Sequence, residues 1–232
     1  MLKVNNLIGF GNNPLKPNPL WSSVTLQMQF ESSTTLDDKG NTFTAYGNSQ
    51  LTTSDALIGA SSLLLDGSGD YLQSNSRIVG CEFGSGDFAI TAKIKPTSSN
   101  IQAILQYGNP AISAAEDLGF YVGVHPTSFE FVMYHGSSVT AKNALFDFSD
   151  GRAHTIGISR SSGTVYMAVD NVILLSERMT VTQNAKSTFR VRVGSRQNAS
   201  PAYFNGVIDA IQVIKGSPLD LTQPIFNNYP TF

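Results

Sequence analysis

Short apolar runs of period two, each closed by Gly, Asn, Asp or Ser, recur from Val24 onward and dismiss most architectures open to a chain of 232 residues. In a β-strand successive side chains point to opposite faces, so such a run buries one face and wets the other. Leu26, Met28 and Phe30 alternate with Thr25, Gln27 and Gln29, and Phe88, Ile90, Ala92 and Ile94 alternate with Ala89, Thr91, Lys93 and Lys95. Further runs read as strands at Ser62–Leu65, Tyr71–Gln73, Ile101–Tyr107, Gly119–Val124, Phe129–Tyr134, His154–Arg160, Thr164–Val169, Val172–Leu175, Phe189–Val193 and Gly206–Ile214. No long segment repeats at helical spacing. Asp170-Asn171 suits a tight hairpin, because Asp and Asn tolerate the left-handed backbone that such turns require. About a dozen strands around one core predict an all-β fold, a two-sheet antiparallel β-sandwich.

Residues 1–23 break this pattern. Leu7, Ile8, Phe10, Leu15, Leu20 and Trp21 are scattered among Asn, Gly, Pro14, Pro17 and Pro19. Proline fixes φ and removes a backbone donor, so the segment reads as an extended arm, neither strand nor helix. Its apolar side chains need a surface, either their own domain or a partner, and docking onto a partner is the expectation. The organisation expected is an attachment arm over 1–23 and a sandwich over 24–232.

Charge and composition narrow the partners. Fifteen Lys and Arg against seventeen Asp and Glu leave a net charge of −2, with no long-range attraction for a polyanion, so nucleic acid is not expected. Hydrophobic residues make up 41% and charged residues 14%, so the surface must be covered largely by Ser, Thr, Asn, Gln and Gly. Cys81 is the single cysteine, which excludes an intrachain disulfide. Apolar stretches such as Ala56 to Leu65 are broken by Gly and Ser and fall short of the roughly 20 residues of a membrane span. No membrane partner is expected. The opening Met1 to Asn6 does not read as a signal peptide, and an export signal is not expected.

Five stretches, in order, resemble the laminin-G-like branch of the concanavalin A-like lectin and glucanase fold, from about Thr42 to Ser217. They are Ser62 to Leu72 with its Asp66-Gly67-Ser68-Gly69-Asp70 turn, Gly86 to Pro96, Asp150 to Arg160, Val165 to Asn171, and Tyr203 to Gly216. The resemblance implies a concanavalin A-like jelly roll. It does not imply one activity, because binding, adhesion and hydrolysis all sit on that fold. It also implies a structural calcium at the sandwich rim, with Asp66, Asp70 and Asp209 at the matching positions and turn bracing as their competing role.

The residues themselves argue against catalysis. A glucanase of this fold needs carboxylates alternating along one strand so that two flank a sugar bond. The tightest acidic pairs, Asp37-Asp38 and Glu116-Asp117, are adjacent residues in turn-like contexts. His125, His135 and His154 lack the close pairing of a metal site, and no nucleophile elbow or phosphate loop appears. The protein is read as a non-enzyme. For glycan binding, Tyr121 and Tyr134 are expected to point outward from neighbouring strands if Phe120, Val122, Phe129, Phe131 and Met133 face inward. Arg190, Arg192 and Arg196 form an outward basic stripe, read as a solvated face.

An extracellular type of module without disulfide or expected export signal fits a virus particle, made in the cytoplasm and released by lysis. The asparagine-rich arm starting Lys3 to Gly11, followed by one such domain, resembles bacteriophage structural proteins. The leading expectation is a virion component, a capsid decoration protein or a tail or fibre subunit. It would be localised to the virion, partnered by other virion proteins and self-associated, as trimers in such settings. The alternative is a carbohydrate-binding or adhesion module that recognises host-surface glycans.

Overall fold

The computed structural model describes residues 20–98, 100–109, 118–136, 138–183, 186–196 and 202–224. Two antiparallel sheets lie face to face. The first contains β1 (Val24–Met28), β3 (Gln50–Thr52), β4 (Ser62–Asp66), β6 (Phe88–Pro96), β11 (His154–Ser161), β12 (Thr164–Val169), β13 (Val172–Arg178) and β17 (Asn205–Lys215). The second contains β2 (Phe43–Tyr46), β5 (Tyr71–Ser74), β7 (Gln102–Gly108), β8 (Leu118–His125), β9 (Ser128–His135), β10 (Ser138–Leu145) and β14 (Arg190–Val193). A short hairpin of β15 (Ser195–Arg196) and β16 (Ala202–Tyr203) follows β14.

The first sheet runs β13-β12-β11-β6-β17-β4-β3, with β1 also on β17, and the second runs β10-β9-β8-β7-β14-β5-β2. The expected runs form strands, and the all-β, two-sheet architecture stands. β17 is the spine of the first sheet. Along one flank it pairs with β6, while the other flank pairs β4 near its start and β1 near its end. Its register shifts between Asp209 and Gln212, where Ala210 takes φ 46°, so a bulge sits at the change of neighbour.

The core between the sheets is apolar and rich in phenylalanine. Phe83 stacks on Phe88 at 4.2 Å and on Phe120 at 5.2 Å, which ties the sheets through ring contacts. Burial pushes the Cys81 thiol up to about 12, so it packs as a small hydrophobe. One cation lies among these groups. Arg160 is 0% exposed, sits over the Phe88 ring, and donates to the carbonyls of Gly84, Gly86 and Val181. It fastens two loops across one end of the core.

The turns follow their residues. Asp170 and Asn171 take φ 48° and 66°, as the hairpin expectation requires, and close β12 onto β13. His154 Nδ1 pairs with Asp170 at 2.7 Å and Nε2 with Asp150 at 3.0 Å, so this histidine clamps two turns together. His125 pairs with Glu130 and His135 with Thr140.

The arm expectation needs correcting where the structure describes it. Trp21–Ser23 forms one 3-10 turn, and Leu20 and Trp21 pack with Leu219 against Val24, Ala89 and Ile214 on their own domain. Lys39 Nζ caps the Trp21 ring at 4.0 Å and donates to the Trp21 carbonyl. Covering the outer face of β1, β6 and β17 removes apolar surface from water within one chain, and Leu20 and Trp21 stay half-buried there. Leu7, Ile8, Phe10 and Leu15 lie outside the described residues.

Asp209, at the bulge, is buried and accepts hydrogen bonds from Ser62 Oγ, Ile58 N and Ala210 N. Burial pushes its carboxyl up to about 6, against the opposing pull of those three bonds. The folded protein therefore keeps a proton that the unfolded chain releases near pH 4. The stabilisation is complete below about pH 4 and lost as pH rises through 6, amounting to up to about 3 kcal/mol. In urea unfolding, Asp209→Asn is expected to gain on the wild type by up to that amount (about 3 kcal/mol) between pH 4 and 7. Parallel pH profiles for the two proteins would show an ordinary carboxyl.

Candidate functional site

The site forms where β4 ends and β17 begins, at one rim of the sandwich. Asp66 and Asn205 are opposite each other in register there. After Asp66 the chain turns through Gly67 and Gly69, at φ 83° and 80°, and enters β5 at Tyr71. Asp70 holds the turn by accepting from the backbone N–H of Asp66 and of Asn48, while Asp66 accepts from Ser68 N at 2.7 Å. These bonds draw the 47–50 loop alongside the 66–70 loop and leave a cleft of about 560 Å³. Asn48, Ser49, Gln50, Thr97 and Asn205 supply amides and hydroxyls to its lining. Asp55 also lines it, held by Lys95 at 2.8 Å.

A second cleft, of about 440 Å³, lies on the other side of Asn205, which lines both. Its lining includes Ser98, Asn100, Arg196 and Tyr203. Asn205 is fixed by its backbone, which donates to Gln102 Oε1 at 2.8 Å, and by Thr97 Oγ1, which donates to its side-chain oxygen at 2.8 Å.

Beside the clefts, three tyrosines gather around one arginine on the outer face of the second sheet. Register places Tyr46 of β2 opposite Tyr71 of β5, and their rings stack at 4.4 Å and 10°. The Arg192 guanidinium lies 4.4 Å over the Tyr71 ring, and its Nε donates to Gln73 Oε1. Tyr203, from the β15–β16 hairpin, is close enough to act electrostatically on both Tyr71 and Arg192. Burial raises the Tyr71 hydroxyl above its ordinary value, with Arg192 pulling the other way. Tyr46 is 37% exposed, and Tyr71, Tyr203 and Arg192 are half-buried. The result is an aromatic stack, with the Tyr71 ring held between Tyr46 and Arg192 and the exposed Tyr46 ring at its open end, that stands as a shelf beside a polar cleft.

The tyrosine pair expected from the sequence does not make this shelf. Tyr121 and Tyr134 do lie on the core-remote face of neighbouring strands, but Tyr121 is only 1% exposed. The hairpin folds back over it: Ala202 packs on it and Arg196 stacks at 4.7 Å from its ring. Tyr134 is half-buried against the same group. An outward direction on a strand guarantees exposure only if nothing covers the sheet. The basic stripe is corrected likewise, since Arg192 and Arg196 are stacked on tyrosines rather than freely solvated.

The three expected calcium ligands are not brought together. Asp209 stands four residues beyond Asn205 on β17, and Asn205 faces Asp66, which puts about 13 Å of strand backbone between the two positions. Asp209 is enclosed, while Asp66 and Asp70 brace the rim turn. One ion cannot take all three, since Ca²⁺ needs its oxygens at about 2.4 Å. Among the described residues, no group of three or more His, Cys, Asp or Glu is placed to hold a metal ion.

A profile of the laminin-G type, described as the concanavalin A-like lectin/glucanases superfamily, matches residues 66–219. The chain belongs to this superfamily. That stretch begins at the rim turn and takes in β5 to β17, strands of both sheets and the β15–β16 hairpin, while β1 to β3 and most of β4 precede it.

No curated protein matches the chain in sequence. Among solved structures, domain 4 of AbnA, a GH43 extracellular arabinanase from Geobacillus stearothermophilus in complex with arabinotriose, is similar at 15% identity and a TM-score of 0.66. The alignment covers 86% of this chain and 97% of that one. The receptor-binding domain of a botulinum neurotoxin C/D mosaic serotype is similar at 15% identity and 0.63, over 86% of this chain and 49% of that one. A botulinum neurotoxin type C structure, whose cell entry depends upon interaction with two ganglioside molecules, is similar at 14% and 0.63, over 86% and 50%. The chain thus spans about half the length of these neurotoxin chains. At such identities the likeness is one of fold.

Proposed function

We propose that the protein is a non-catalytic carbohydrate-binding module that lays a glycan across Tyr46, Tyr71 and Tyr203 and into the adjoining clefts. The observation that carries this reading is the Tyr46–Tyr71 stack, capped by Arg192 and open to solvent beside a cleft lined by amides and hydroxyls. Pyranose rings present flat C–H faces to aromatic rings, and their hydroxyls need the paired donors and acceptors that Asn and Ser supply. Support comes from similar folds whose names include arabinotriose and ganglioside. The carboxylates at the clefts are engaged in other work, Asp55 with Lys95 and Asp66 and Asp70 with backbone N–H groups. Hydrolysis would instead need two of them free to flank a sugar bond.

The test is a glycan array followed by calorimetric titration of the strongest binder. Tyr46→Ala is expected to weaken binding about tenfold or more, the value of the one aromatic face that the stack leaves open. Tyr121→Ala is expected to lower the melting temperature, since that ring supports the hairpin from beneath. Unchanged affinity in Tyr46→Ala would move the site away from the stack.

A capsid or tail role with trimeric self-association is a separate proposal about where such a module is displayed. The described residues offer no observation that favours it, because Leu20 and Trp21 cover their own sheet. None of the three structures above is a phage protein.

A further inference from the structure

The second cleft carries a cation with no anionic partner. Arg196 stacks on the Tyr121 ring at 4.7 Å, and its Nε is buried without a hydrogen-bond partner. Among the described residues, no carboxylate forms an ion pair with it. The first cleft differs, because its lining carboxylate Asp55 already holds the nearby cation, Lys95. A buried N–H left without an acceptor is costly, and stacking alone does not relieve it. The guanidinium therefore stays poised to turn towards an acceptor arriving in the cleft that it lines. Its planar fork matches a carboxylate or sulfate in two parallel hydrogen bonds, and the Tyr121 face underneath fixes the plane of that fork.

The surroundings favour the same kind of ligand. Ser98, Asn100 and Asn205 place hydroxyl and amide groups around the cleft, and Tyr203 joins it to the aromatic shelf. Arg190 and Arg192 follow on β14 and alternate with the core residues Val191 and Val193, so they share the outer face. Glu130 shares that face beside Tyr121 and Tyr134 and pairs with His125, so the arginines of the face outnumber its carboxylates.

We propose, resting on the glycan reading above, that the second cleft is an anionic-sugar subsite. Arg196 holds the carboxylate or sulfate of one sugar, and neutral sugars of the same chain run over Tyr203, Tyr71 and Tyr46.

Binding of the full chain is measured against matched oligosaccharides: one neutral, one ending in a uronic acid, the methyl ester of that acid, and one sulfated. The acid or the sulfated form is expected to bind at least about tenfold tighter than the neutral one, and high salt to shrink the preference. The winning form separates carboxylate from sulfate. Esterification tests a carboxylate without altering the protein. Arg196→Gln is expected to erase the preference, and Arg196→Lys to restore part of it. Equal binding of charged and neutral forms, or a preference untouched by Arg196→Gln in a variant that melts like wild type, overturns this inference and leaves the glycan reading in place. Failure of every oligosaccharide to bind defeats both.

Discussion

Arg160→Ala is expected to cost the fold about 4 kcal/mol, near the upper end for a point substitution. The guanidinium supplies donors to the carbonyls of Gly86 and Val181, and Gly84 would be left with Gln183 N alone. Each enclosed carbonyl without a donor costs about 1 to 3 kcal/mol, and the missing side chain leaves a cavity beside Phe88 and Met133. A domain of this size loses about 2 to 4 °C of melting temperature per kcal/mol, so a fall of about 10 °C is expected in calorimetry. Arg160→Met separates the two causes, because it restores volume without donors. Recovery of wild-type stability in the Met variant would show that the carbonyl bonds contribute nothing net.

Gly206→Ala is expected to be nearly as damaging and to reach the clefts as well. Gly206 sits at φ 131°, which side chains disfavour, and a Cβ there would lie 2.1 Å from the Lys95 carbonyl oxygen. Both obstacles are backbone, so β17 must move away from β6 at the residue next to Asn205. Backbone strain of this kind costs about 1 to 3 kcal/mol, before any loss of ladder hydrogen bonds is added. Melting temperature and glycan affinity should therefore fall together, with the affinity loss persisting well below the melting transition. A variant that melts and binds as wild type would mean that the strand absorbs the methyl group.

Much of the fold was legible because half-buried strands carry their own signature. Leu26 and Met28, Phe88 to Ile94 and Ile208 alternate or run apolar according to how many faces are buried, and each lies in a strand as expected. The strands that escaped notice are three edges, β2, β3 and β10, and the two-residue strands of the hairpin, β15 and β16. β10 buries only Ala144 fully, so its alternation is faint. An edge strand is specified by the neighbour it pairs with, which period alone does not reveal. The hairpin at Asp170-Asn171 was legible for a local reason, since the φ demand of the turn falls on those two residues.

The candidate site was legible only in pieces. Tyr71 and the Asp66 to Asp70 turn stood out as a motif, and Arg190, Arg192 and Arg196 as a stripe. That Tyr46, Tyr71, Tyr203 and Arg192 converge depends on β2 pairing with β5, on β5 pairing with β14, and on the hairpin folding over the sheet. They gather residues up to 157 positions apart, Tyr46 and Tyr203, around Arg192.

The sequence by itself determined the class of fold, the inward face of most strands, the turn chemistry and the superfamily. Those properties rest on local alternation and local φ preferences. The tertiary structure alone decided which outward tyrosine is covered and which is open, which arginine is buried among carbonyls and which lacks an anion, and that Asp209 is sealed about 13 Å from Asp66. Exposure, pairing and distance are properties of what lies across the sheet, and a single strand does not encode its neighbours.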